Sequence, residues 1–206
     1  MALRRLYLCT PDRDDLLRFV GACIEGGVDV VQLREKDSSA RRIVERGKEL
    51  AELCSGLGVP FLINDRPDLA IECGADGVHV GQDDVSPGIA RRILGDKAII
   101  GLSTHAPSEV TTSTVEPVNY ISAGPVVATP TKPGRTGTGT DYISLAVRTA
   151  ALPVFVTGGV SPETVPGIAE AGARHFVVVR YLTEADDPGA AARRLRDSID
   201  RALDKD

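Results

Sequence analysis

Short runs of apolar, largely β-branched residues alternate with longer amphipathic stretches along the whole chain. Runs at 5–9, 28–34, 60–63, 77–80, 98–102, 119–123, 154–156 and 174–179 read as strands. The segments 12–25, 38–55, 69–73, 87–94, 107–115, 142–150, 161–171 and 189–203 read as helices. Asp12 is placed as the first N-cap, and Ser161-Pro162 as a cap followed by proline in the first helical turn. Strand and helix alternate strictly, eight times each, within 206 residues. That order predicts an α/β fold, a (β/α)8 TIM barrel, in preference to a doubly wound sheet with insertions. Apolar strands fit, because such a sheet is covered on both faces. No linker interrupts the pattern, so 1–206 is read as a single compact domain.

The second strand breaks the pattern. Gln32, Arg34 and Lys36 stand two apart in V-Q-L-R-E-K, so an extended chain puts them on one face. Burying two cations without an anion is costly, so this strand end is expected to hold a negative ligand. In a barrel, the carboxyl ends of the strands carry the chemistry.

The other unusual polar groups fall on those same ends. Asn64 and Asp65 follow the third strand, and Gly81-Gln82-Asp83-Asp84 the fourth. Ser103, Thr104 and His105 end the fifth, Thr129, Thr131 and Lys132 follow the sixth, Gly158-Gly159 the seventh, and Val179-Arg180 the eighth. Asp65 and Asp84 follow adjacent strands, so two carboxylates can bracket one hard cation, which points to magnesium. Helix capping by Asp65, and by Asp83 or Asp84, is the alternative. Gly158-Gly159 ahead of a helix makes an anion cradle through backbone N–H groups, or only a turn. The loop 124–140, with glycines, prolines and hydroxyls, reads as a lid over a polyanion, or as a tolerated surface loop. His79 is either a core histidine or a pocket wall, His105 a leaving-group contact or a helix cap, and His175 opens its strand at the wrong end for chemistry.

Composition removes whole classes. The net charge is -5 and no long basic tract occurs, so nucleic acid is not expected. Cys9, Cys23, Cys54 and Cys73 lack disulfide or zinc spacing and read as core residues. No signal peptide or membrane-length apolar run is seen, so the expected setting is a reducing cytoplasm. No Ser-His-Asp or Cys-His order converges at a recognisable nucleophile and H-E-x-x-H is absent; with two anion sites and a metal expected, the set suits polyphosphate departure or transfer chemistry, not peptide or ester hydrolysis.

V-Q-L-R-E-K, N-D, D-G-V-H-V-G-Q-D-D, G-L-S-T-H and G-P-V-V-A-T-P-T-K-P-G, in that order, resemble the thiamine-phosphate synthase family. The resemblance implies a transferase that joins hydroxymethylpyrimidine diphosphate to hydroxyethylthiazole phosphate, or its carboxylated form, and releases pyrophosphate with Mg2+ as cofactor. It implies Asp65 and Asp84 as magnesium ligands. Gln32, Arg34, Lys36, Asn64 and His79 match pyrimidine-diphosphate contacts, and Ser103 and Lys132 match residues that hold the departing pyrophosphate. Thr129, Thr131, Gly159, Val179 and Arg180 fall at the thiazole-phosphate positions, although many members carry serine where this chain has Arg180. Arg34, Lys36, Ser103 and Lys132 are the expected catalytic set. Partners are thus two small phosphorylated heterocycles, with a homodimer left open. A thiazole tautomerase-like barrel is the nearest alternative, but it does not require the paired acids. A sugar-phosphate isomerase would need a base beside an acidic C–H, and a non-catalytic phosphometabolite-binding regulator would not need leaving-group cations.

Overall fold

The computed structural model describes residues 1–128 and 136–204. Eight parallel strands close into a barrel in sequence order: β1 (Leu6–Thr10), β2 (Val30–Leu33), β3 (Phe61–Asn64), β4 (Gly77–Val80), β5 (Ile99–Thr104), β6 (Tyr120–Ala123), β7 (Val154–Thr157) and β8 (His175–Val178). The outer layer is α1 (Leu16–Glu25), α2 (Ala40–Gly56), α3 (Pro67–Cys73), α4 (Pro87–Leu94), α5 (Pro107–Ser113), α6 (Gly139–Thr149), α7 (Val165–Glu170), α8 (Arg180–Thr183) and α9 (Pro188–Leu203). The closing helix α9 packs on α1, so the ends of the chain seal the ring.

Alternation along each strand divides the apolar residues into two cores. The larger lies between sheet and helices, around Leu6, Leu8, Phe19, Leu50 and Ile199. The smaller fills the barrel with Tyr7, Cys9, Val30, Leu62, Tyr120, Phe155 and Val177. Tyr7, Tyr120 and Phe155 meet edge to face, with ring centroids 5.1 to 6.0 Å apart. They close the barrel centre and leave its carboxyl end to smaller polar side chains.

Some predicted boundaries move. Asp12 does not cap α1; its carboxylate instead accepts from Arg42 and Arg46 of α2, at 2.7 and 2.8 Å. Helix α7 begins at Val165 rather than at residue 161, because Pro166 fits only in a first turn. The short α8, which no hydrophobic period announces in four residues, follows β8 directly. β2 ends at Leu33, although Arg34 N–H still donates to the Thr10 carbonyl at 2.8 Å, so the chain stays extended beside β1.

One device at the amino end recurs. Asp29, Asp76 and Asn119 immediately precede β2, β4 and β6, and each side chain accepts a backbone N–H at the start of the preceding strand: Leu6, Phe61 and Ile100 respectively. Each backbone N–H returns a bond to the carbonyl of that same residue. These brackets pin the parallel register where a parallel ladder leaves strand ends unpaired.

Candidate active site

A cavity of about 490 Å3 opens at the carboxyl ends of the strands. Residues from all eight strands, and from the loops that follow β2 to β8, line it. Gln32, Arg34, Lys36, Asn64, Asp65, His79, Asp84, Ser103, Gly159, Val179 and Arg180 all border this one space. Thr129, Thr131 and Lys132 lie outside the described residues. Of the three-residue polar stripe, only Gln32 belongs to regular strand; the cations Arg34 and Lys36 continue past its end toward the mouth.

The acids are not caps. Ser86 occupies the N-cap of α4 and accepts from Ile89 N–H, while Arg66 holds that position on α3. Asp65 sits in the left-handed region (φ 62°), with its N–H donating to the His79 carbonyl at 2.8 Å. A non-glycine residue held there stores strain of about 1 kcal/mol, and such strain concentrates at functional sites. The turn aims its carboxylate at Lys36 Nζ, 3.1 Å away, and into hydrogen-bonding reach of Asp84. Burial, then the neighbouring Asp84, raises the Asp65 carboxyl above its ordinary value against the pull of Lys36. Asp84 in turn accepts from Gly81 N–H at 2.8 Å. Two converging carboxylates of this kind suit a hard cation, and the donor set fits magnesium.

Beneath the acids, Gln32 donates to Asn64 Oδ1 at 3.4 Å. The Asn64 amide nitrogen is buried and has no hydrogen-bond partner among the described residues. An orphan donor at a cavity wall is costly unless a ligand oxygen or nitrogen meets it. His79 bridges two neighbours, with Nδ1 2.9 Å from the Tyr120 hydroxyl and Nε2 2.9 Å from Ser103 Oγ. It is thus both a bonded interior histidine and part of the cavity wall. His105 is neither free nor a helix cap: Nδ1 bonds the Gly124 carbonyl, and its N–H donates to Glu109.

Across the mouth, Gly158 and Gly159 have φ of 94° and 77°. A Cβ on either would come within 2.4 Å of Pro125 or Val127, so only glycine lets these two loops touch. Thr164 Oγ1 donates to the Gly159 carbonyl at 2.6 Å and fixes the turn. Arg180 opens α8, and its guanidinium is bonded to Glu184 one turn on, at 2.7 Å. The ends of the 124–140 loop are tied down: Val126 N–H donates to Thr157, Thr138 N–H to Pro125 and Gly139 N–H to Val126.

The model of the family described as thiamine monophosphate synthase matches residues 6–182. The chain belongs to that family. A thiamine-phosphate synthase of Mycobacterium sp. (strain JLS) is 43% identical, over 97% of this chain and 94% of the relative. Another, of Mycolicibacterium vanbaalenii, is 45% identical, over 96% and 95%. Among solved structures, thiamine phosphate pyrophosphorylase from Pyrococcus furiosus superposes with a TM-score of 0.89 at 27% identity, covering 97% of this chain and 96% of that one. Thiamine-phosphate synthases are transferases, so the cavity belongs to an enzyme.

In this member of the thiamine monophosphate synthase family, several lining residues escaped the sequence reading, among them Tyr7, Ser122 and Thr157, as did Tyr120, which is buried beneath the cavity. Gln82 donates to the Ser103 carbonyl at 2.6 Å and so buttresses that strand end. The available signal was period two: Tyr120 stands two before Ser122, and Tyr7 two before Cys9, on inward faces. Among the described residues, no helix is long and apolar enough to cross a membrane.

Proposed function

We propose that this chain condenses hydroxymethylpyrimidine diphosphate with hydroxyethylthiazole phosphate, or its carboxylated form, giving thiamine phosphate and pyrophosphate. The observation that carries the proposal is the concentration of underpartnered polar groups at one mouth: the Asp65–Asp84 pair, Lys36 beside it and the orphan Asn64 amide. Membership of the family supplies the reaction class.

On this reading, Arg34 and Lys36 hold the diphosphate and neutralise charge as the C–O bond to the pyrimidine methylene breaks. Lys36 lies against Asp65 at 3.1 Å, within reach of both the acid and an incoming phosphate. Asp65 and Asp84 would hold a magnesium ion with water and phosphate oxygens, and that ion, when bound, adds positive charge against the departing pyrophosphate. Gln32, Asn64 and His79 orient the aminopyrimidine, whose ring electrons stabilise the methylene cation. Ser103 donates to the leaving group, a role shared with Lys132. The backbone at Gly159, Val179 and Arg180, with the Thr129 and Thr131 hydroxyls, holds the thiazole phosphate. The thiazole nitrogen attacks the methylene carbon through its lone pair, so no general base is needed at the nucleophile. The carboxylated substrate also loses CO2.

The test mixes both substrates with magnesium and follows the two products together. Thiamine phosphate and pyrophosphate should appear in equal amounts. Pyrophosphate without thiamine phosphate, or neither product, would overturn the assignment.

A further inference from the structure

A row of four buried side chains runs from the barrel centre to the cavity. Tyr7 hydroxyl lies 3.0 Å from Tyr120 hydroxyl, Tyr120 hydroxyl 2.9 Å from His79 Nδ1, and His79 Nε2 2.9 Å from Ser103 Oγ. Gly101 makes room for it, since a Cβ there would stand 2.1 Å from the Tyr120 ring and 2.5 Å from His79 Nδ1. The Tyr120 and His79 rings also stack, with centroids 5.5 Å apart.

Two proton orders satisfy the three contacts. In the outward order, Tyr7 donates to Tyr120, Tyr120 donates to Nδ1, and Nε2–H donates to Ser103 Oγ. In the inward order, Ser103 donates to Nε2, Nδ1–H to Tyr120, and Tyr120 to Tyr7. The inward order leaves the Tyr7 proton without an acceptor, because Tyr120 is its one hydrogen-bond partner among the described residues. An unpaired buried donor is costly, whereas an unfilled lone pair on a phenol is tolerated better. Burial holds both phenols protonated, so each has a proton to place. The outward order therefore wins, and it leaves the Ser103 proton unspent. Ser122 Oγ, 3.5 Å away, also donates weakly to Ser103 Oγ, so it takes a lone pair there and not the proton.

We propose that Tyr120, backed by Tyr7, is a positioning residue that fixes His79 as the Nε2–H tautomer and so turns the Ser103 hydroxyl toward the cavity as a donor to a bound anion. This deepens the proposed function and rests on it for the identity of that anion, the departing diphosphate. The tautomer assignment itself rests on the three contacts alone.

The experiment uses the full chain with 15N-labelled histidine rings and no substrate, with His79 signals assigned by their loss in His79→Asn. Nδ1 should be unprotonated and Nε2 protonated. Tyr120→Phe keeps the ring and removes the donor to Nδ1, so the His79 signals should move toward a mixture of tautomers. Tyr7→Phe leaves Tyr120 nothing but His79 to donate to, so the Nε2–H tautomer should persist. In turnover, Tyr120→Phe should lower kcat about tenfold, the scale of one hydrogen bond to a charged group, with KM for the diphosphate substrate nearly unchanged. A wild-type His79 protonated on Nδ1, or a Tyr120→Phe variant whose His79 signals stay put, overturns the proposal. Shifted signals with unchanged kcat overturn its link to Ser103. Wild-type spectra as expected, with no condensation product, uphold the tautomer and overturn only the substrate assignment.

Discussion

The two ends of the barrel are both rich in polar side chains, and they treat them oppositely. At the amino end every conspicuous group is saturated. Asp29 accepts from the N–H groups of Arg5 and Leu6 and from Arg196. Asn119 accepts from Ile100 N–H and Arg91, and Arg91 also reaches the carbonyls of Gly95, Asp96, Ala98 and Pro117. At the carboxyl end, Asn64 keeps a buried orphan amide, and two acids crowd together beside one lysine. Saturated polar groups hold a fold together, whereas converging unsaturated ones are stabilised by a ligand. Charge alone does not distinguish the ends; completeness of partnering does.

The sharpest way to break this contrast is to remove one group from each end. Asp84→Ala should lower kcat by about 10^2-fold or more, on the scale of lost transition-state charge stabilisation, while the unfolding midpoint stays near wild type. Asp29→Ala should do the reverse. It strands two backbone donors and the Arg196 guanidinium, and should cost about 3 kcal/mol in urea unfolding, with kcat preserved in the folded fraction. An Asp29 variant that loses kcat without losing stability would erase the distinction.

Gly101→Ala probes the boundary between the ends. Its Cβ would meet the Tyr120 ring at 2.1 Å, so overpacking should cost about 1–3 kcal/mol, read from the same urea curve. Unchanged stability would mean that the barrel centre yields more easily than its close packing implies.

The smallest effect concerns pH. His175 stacks on Phe155 near the amino end, and its Nδ1–H donates to the Arg4 carbonyl. Burial lowers its pKa below the ordinary 6.5. A depressed pKa means the unfolded chain takes up the proton first, so this stabilisation is full above pH 6.5 and is lost as pH falls through the folded value. The thermal midpoint should decline on acidification below that pH, and His175→Gln should flatten the decline. An equal decline in the variant would assign it to other groups.

Much of this was legible in the chain. Alternating apolar runs gave the barrel, and period two marked Gln32, while adjacency of strand ends brought Asp65 near Asp84. What escaped depends on pairing across the sheet rather than along it. Asp76 looks like an ordinary turn residue, and Asn119 like the first residue of its strand, until register places Phe61 and Ile100 beside them. Tyr7 and Tyr120 are 113 positions apart, and only closure of the barrel brings their hydroxyls together. Asp12 has the composition of a cap, but Arg42 and Arg46 present two guanidinium groups that outcompete the helix end.

On the proposed function, the carboxyl-end acids and cations form one diphosphate site. Calorimetric titration of hydroxymethylpyrimidine diphosphate, with and without magnesium, into the wild-type chain and Asp84→Ala measures this directly. Magnesium should tighten binding to the wild type at least about tenfold, the equivalent of 1.4 kcal/mol, and should have little effect on the variant. Equal enhancement in both proteins, or binding of the diphosphate to neither, would contradict it.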